Sequence, residues 1–65
     1  MKTFESLYRD YYQKVYAFLN RMCADGDLAE DLTQETFLQA YKSLYKFRGE
    51  CESFTWLAAI GKHTY

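Results

Sequence analysis

The chain contains no proline and only three glycines. An all-β protein needs turn residues at short, regular intervals, and their scarcity argues against that class. No apolar run approaches the roughly 20 residues that a helix needs to span a bilayer. The opening "MKTFESLYRDYY" is amphipathic and lacks the continuous apolar core of a signal peptide, so a soluble cytoplasmic domain without membrane contact is expected. The two cysteines, Cys23 and Cys51, stand far apart, and with the single His63 they form no paired zinc-ligand motif. A structural disulfide is not expected in a reducing compartment. Neither sign of charge is in excess: eight Lys and Arg against nine Asp and Glu leave a net charge of −1. Non-specific duplex binding depends on neutralising phosphates with cations, so this segment alone is poorly suited to it. A local, aromatic-rich single-strand site stays open.

What the chain does have is apolar and aromatic content: hydrophobic residues make up 49% and aromatics 20% of its 65 residues. That suffices for a folded core, although a domain this short buries only roughly 60% of its unfolded surface. At about 100° per residue, Phe4, Leu7, Tyr8, Tyr11, Val15, Phe18, Leu19 and Met22 fall on one stripe of a first helix. Thr3 is its expected N-cap, and Glu5 sits in the first turn, where the helix dipole favours an acid. Tyr12 and Tyr16 flank the stripe. In "ADGDLAED", Gly26 is the expected left-handed residue closing that helix. Asp27 with Glu30 three positions on resembles a capping box, so a second helix is expected from near Leu28 to about Lys46. Its packed stripe is Ala29, Leu32, Thr36, Phe37, Ala40, Leu44 and Phe47. The pair forms an antiparallel hairpin through a short connection. "FRGECES" is the next break, with Gly49 in the turn and Ser53 as cap of a third helix over "FTWLAAIGKHTY". Inward positions there are Trp56 or Leu57, then Ile60 and Thr64. The expectation is an all-α, three-helix domain spanning 1–65, cut inside its last helix.

The outer side of the second helix is unusual. Asp31, Leu38 and Lys42 point almost opposite to Ala29 and Ala40, with Gln34, Glu35 and Tyr45 flanking them and Tyr41 beside Leu38. A solvated helix face accounts for the charges alone. An aliphatic centre ringed by acid and amide groups also resembles the middle of a protein–protein patch, and its acidic rim suits a basic partner. Asp31 and Glu35, one turn apart, could share a proton or a divalent cation. No His partner, activated nucleophile or glycine-rich phosphate cradle accompanies them, so no catalytic residue, metal or cofactor is assigned. From the residues alone, a bare helical interaction module that never meets DNA is an open alternative.

"AEDLTQETFLQAYKSLYKF" followed by "FTWLAAIGKH" resembles region 2 of bacterial RNA polymerase sigma factors of the sigma-70 family, most closely the extracytoplasmic-function (ECF) group. "FESLYRDYYQKVYAFLNRM" looks like that region's first helix. The specific part is the acid-Leu-x-Gln-Glu run followed by Phe-Leu and an aromatic. The resemblance implies a transcription initiation domain, not an enzyme, whose second helix docks on the clamp helices of the largest subunit of core RNA polymerase. By position Asp31, Gln34 and Glu35 are then the polar contacts, and Leu38 and Tyr41 share their side by helical geometry.

The family's second role is capture of the promoter −10 element as non-template single-stranded DNA, with a base extruded from the stack and held by the protein. The matching loop is "FRGECES". By position, Arg48, Lys62 and His63 are candidates for DNA contacts, with Phe54 or Tyr65 to stack, while Trp56 is expected in the core. The resemblance also leaves room for an anti-sigma protein as a partner, which could cover the same surfaces. The chain departs from the family pattern in several places. Where "I-A-R-N" is frequent it has Ile60, Gly61, Lys62 and His63, and Gly61 is expected to loosen the helix by about 1 kcal/mol relative to Ala. A frequent Phe three residues before the Trp is Ser53 here, with Phe54 one place later. The aromatic pair that wedges duplexes open in primary sigma factors is matched by Ala59 and Ile60, which implies weak melting. The basic stretch and the region 4 domain that reads the −35 element are absent from these 65 residues.

Overall fold

The structure is a computed structural model and describes residues 3–44 and 52–65. Among them are three helices: α1 (Phe4–Cys23), α2 (Gly26–Ser43) and α3 (Ser53–Thr64), each packed against the other two. The all-α, three-helix expectation matches this architecture. The second helix ends at Ser43, with Leu44 of the expected stripe half-buried as its C-cap; its expected further reach over residues 45 and 46, the buried role of Phe47 and the turn at Gly49 lie outside the described residues.

The core is small and built from the expected stripes. Leu7, Val15 and Leu19 of α1, Ala29, Leu32, Phe37 and Ala40 of α2, and Leu57 of α3 are buried. Each fully buried Val, Leu or Phe contributes about 1.5–3 kcal/mol. Phe4, Tyr11, Phe18, Met22, Trp56 and Ile60 pack half-buried around that centre. Leu57, rather than Trp56, holds the inward position on α3. Tyr8 departs from the expected stripe: it is 43% exposed, because it lies at the seam between α1 and α2 and not beneath it. Thr33, absent from the expected stripe, is buried with Thr36. Each hydroxyl donates back to the carbonyl four residues earlier, Thr33 to Ala29 at 2.6 Å and Thr36 to Leu32 at 2.7 Å. These bonds satisfy the polar groups inside an apolar core.

The connection between α1 and α2 lies two residues earlier than the sequence suggests. Thr3 caps α1 as expected, its Oγ1 accepting from the Ser6 amide at 3.1 Å. At the other end the left-handed residue is Ala24, at φ 54°, and not Gly26; its amide donates to the Asn20 carbonyl at 2.8 Å. Asp25, not Asp27, is the N-cap of α2, with Oδ1 accepting from the amides of Asp27 at 3.0 Å and Leu28 at 3.2 Å. The physical reason is reach: a carboxylate at 25 satisfies two orphan amides at once, which draws Gly26 into the helix and leaves Ala24 to make the turn. Asp27 then lies in the first turn, where the dipole still favours it. On α3, Glu52 rather than Ser53 stands at the cap position and makes no side-chain cap bond, while Ser53 is buried.

Candidate functional site

Helix α2 presents three different sides around its axis. Its inner side is the core stripe. Toward α1 it turns Phe37 and Tyr41: the Phe4 ring meets Tyr41 edge-on at 5.2 Å and Phe37 at 6.4 Å, and Tyr8 meets Phe37 at 5.0 Å. Tyr12 completes the seam, stacked on Phe37 and sharing a side-chain hydrogen bond with Gln34. Burial is the main cause that lifts the Tyr12 phenol above its ordinary pKa of 10.0; the Gln34 bond opposes it, and neighbouring Tyr8, Glu30 and Tyr16 add to it.

Outward, α2 exposes Asp31, Gln34, Leu38, Tyr41 and Lys42. Leu38 is 47% exposed and Tyr41 is 63% exposed. These large apolar surfaces stand open to solvent beside an exposed carboxylate and an exposed amide, as the helical wheel anticipates. Glu35 is set differently from the other four candidates. It is half-buried and turned toward α3, and its Oε2 accepts from Gln39 Nε2 at 2.8 Å. With Gln39 and Ser43 it forms one wall of an open groove whose other wall is Ile60, His63 and Thr64 of α3. Glu35 and His63, placed by sequence reasoning on two separate surfaces, therefore line one groove.

The described candidates on α3 divide in the same way. Lys62, His63 and Tyr65 are exposed, Tyr65 at 57%. Phe54 is half-buried, with its ring edge-on to Phe18 at 6.1 Å, so its aromatic surface is already shared with α1. Arg48 lies outside the described residues. Among the described residues, no three His, Cys, Asp or Glu side chains lie close enough to hold a metal ion, and no helix is long and apolar enough to cross a membrane.

The family model for Sigma-70 region 2 matches residues 7–65, which takes in all of α2 and α3 and most of α1. The chain belongs to the sigma-70 region 2 family. Among curated proteins it is similar to the RNA polymerase sigma factor YlaC of Bacillus subtilis, with 43% identity over 61 residues, covering 94% of this chain and 35% of that protein. It is similar also to the ECF RNA polymerase sigma factor SigX of the same organism, 39% identical over 62 residues, covering 95% of this chain and 32% of SigX. The ECF RNA polymerase sigma-E factor of Escherichia coli is 38% identical over 63 residues, covering 97% of this chain and 32% of that factor. The chain thus spans about a third of the length of the curated relatives it matches, and their names agree with the ECF group. No solved structure matches the chain at a significant level.

Within this region 2 domain, two features lay beyond the sequence signals. The first is the ring-lined seam of Phe4, Tyr8, Tyr12, Phe37 and Tyr41, which carries apolar surface from the outer side of α2 onto α1. Ring stacking between helices has no periodicity of its own, and the excess of tyrosines in the first helix was its only trace. The second is the close seating of α3 at Gly61. Glycine's low helix propensity pointed the other way, toward a loosened helix.

Proposed function

We propose that this region 2 domain is a transcription initiation module that docks on core RNA polymerase through the outer side of α2 and engages the promoter −10 element, as a non-template single strand, through the exposed edge of α3 and the loop before it. The observation that carries the reading is Leu38, 47% exposed at the centre of the Asp31, Gln34 and Tyr41 surface. An aliphatic group held open among acid and amide groups, on a rigid helix, suits a basic and apolar rod such as the clamp helices of the largest subunit. Its burial would supply affinity, while the acidic rim steers encounter and orientation. Asp31 and Gln34 are the polar contacts closest to that centre, with Tyr41 beside it. Glu35 sits at the border, bonded to Gln39, and contributes from the groove side.

On the DNA side, Lys62 and His63 are free to meet the phosphate backbone or a base edge, and Tyr65 offers a ring for stacking. Phe54 would first have to leave Phe18. Arg48, outside the described residues, is a candidate contact by its place in the sequence alone. The domain performs no chemistry; strand capture costs base unstacking, offset by stacking and edge hydrogen bonds. With a net charge of −1, the chain by itself is expected to bind DNA weakly, so strand engagement depends on prior docking to polymerase in the cytoplasm. An anti-sigma protein covering the outer side of α2 would block that docking.

The test is an anisotropy titration of the labelled chain with core RNA polymerase, comparing wild type with Leu38→Asp. A charge introduced at the centre of the patch is expected to weaken binding by about tenfold or more, equivalent to roughly 1.4 kcal/mol, with an unchanged circular dichroism spectrum. Equal binding by the folded variant would instead favour a helical interaction module with a different partner.

A further inference from the structure

We propose that Gly61 is a positioning residue for the DNA-facing edge of α3; this rests on the reading of Lys62 and His63 as strand contacts. The buried residues of α3 are Ser53, Leu57 and Gly61, spaced four apart on one stripe against the hairpin. At Gly61 the helix backbone comes so close that an added Cβ would stand 3.1 Å from Leu19 Cδ2, 3.4 Å from Leu19 Cδ1 and 3.3 Å from Thr36 Oγ1. Neither neighbour is free to swing outward. Leu19 is wholly buried, and the Thr36 hydroxyl is held by its 2.7 Å bond to the Leu32 carbonyl. One contact comes from α1 and the other from α2, so a side chain at 61 pushes α3 away from both helices together.

That push would fall at one end of α3. Near the other end, Ser53 and Leu57 are buried, and Phe54 meets Phe18. The helix would therefore tilt about its N-terminal half and carry its C-terminal edge outward. Lys62 and His63 follow Gly61 directly and are exposed, and His63 and Thr64 line the groove facing Glu35 and Gln39. A missing methyl group thus fixes where the cation and the imidazole stand relative to α2. The helix-loosening cost of glycine is set against a closer seat on the hairpin.

The experiment uses the full-length protein assembled with core polymerase. Its probe is a fluorescein-labelled DNA single strand selected from a random pool by the wild-type assembly. Gly61→Val is expected to weaken strand binding by about tenfold or more and Gly61→Ala by about threefold, with polymerase affinity unchanged. Leu19→Val combined with Gly61→Ala removes volume where the new methyl enters, a nearly volume-conserving exchange, and is expected to restore strand binding. Wild-type strand affinity in a folded Gly61→Val assembly would overturn the proposal, as would equal losses of polymerase and strand binding or a double variant no better than Gly61→Ala. If Gly61→Val does not fold, Gly61→Ala and its double variant decide by the same criteria. Lys62→Ala and His63→Ala separate the two layers. If they weaken strand binding and the Gly61 variants do not, the positioning role alone is wrong. If neither alanine variant has an effect, the DNA-facing reading falls and the proposal with it.

Discussion

Tyr12 of α1 lies nearly flat on Phe37 of α2, with ring centroids 5.7 Å apart and planes inclined by 18°. Phe37 is itself buried, so the pair joins the apolar core to the exposed side of the hairpin. Phe37→Ala removes the central ring of the seam and leaves a cavity, with an expected loss of about 3–5 kcal/mol. In a domain of this size a single hydrophobic core rarely supplies more than about 3–5 kcal/mol of net stability, so urea denaturation should show a largely unfolded variant at 37 °C. Phe37→Leu keeps most of the volume and should be milder.

The Tyr12 phenol gives this seam a pH dependence. Burial raises its pKa above the ordinary 10.0 in the folded state, so the folded protein holds the proton longer than the unfolded chain does. The resulting stability is fully present below the unfolded value and is lost as pH rises from there through the folded pKa. Tyr12→Phe should be destabilised at pH 8, where it lacks the Gln34 hydrogen bond, and should lose less than wild type between pH 9 and pH 11. Urea midpoints at these three values check the sign.

Two substitutions test the turn between α1 and α2. Ala24 occupies the left-handed region without being glycine, a conformation that costs a Cβ-bearing residue about 1–2 kcal/mol. Ala24→Gly should therefore raise stability, by about 1 kcal/mol or slightly less after glycine's own entropy cost. Asp25→Ala removes the acceptor of two amides and should cost about 1 kcal/mol, near the middle of the measured range for caps. Asp27→Ala should cost clearly less. Thermal denaturation of the three variants distinguishes Asp25 from Asp27 as the cap.

The pattern of these residues shows which parts of the domain were legible in the sequence. Val15, Leu19, Ala29, Leu32, Phe37 and Ala40 follow helical periodicity, and burial obeys that period because each helix has one inner side. The exposed Leu38 and Tyr41 came from the same wheel. The turn was misplaced because Asp25 and Asp27 have the same chemistry two positions apart, and only backbone geometry decides which one reaches the free amides. Tyr8 and Glu35 lie at the borders between sides, where the direction of a neighbouring helix settles exposure. The neighbour cannot be read from one helix's own wheel. Gly61 is the extreme case: its local propensity argues for loosening, while its role comes from Leu19 and Thr36, far away along the chain.

In the proposed function the outer side of α2, centred on Leu38, meets the largest subunit of core polymerase. The most direct measurement places a photo-crosslinking amino acid at position 38, with position 17 as control, since Ala17 is exposed on α1. Each version is irradiated with core polymerase, and the adducts are mapped by mass spectrometry. Position 38 should give an adduct within the clamp helices of the largest subunit and position 17 should give little or none. Equal labelling from both positions, or an adduct from position 38 only on another subunit, would rule out docking through this side of α2.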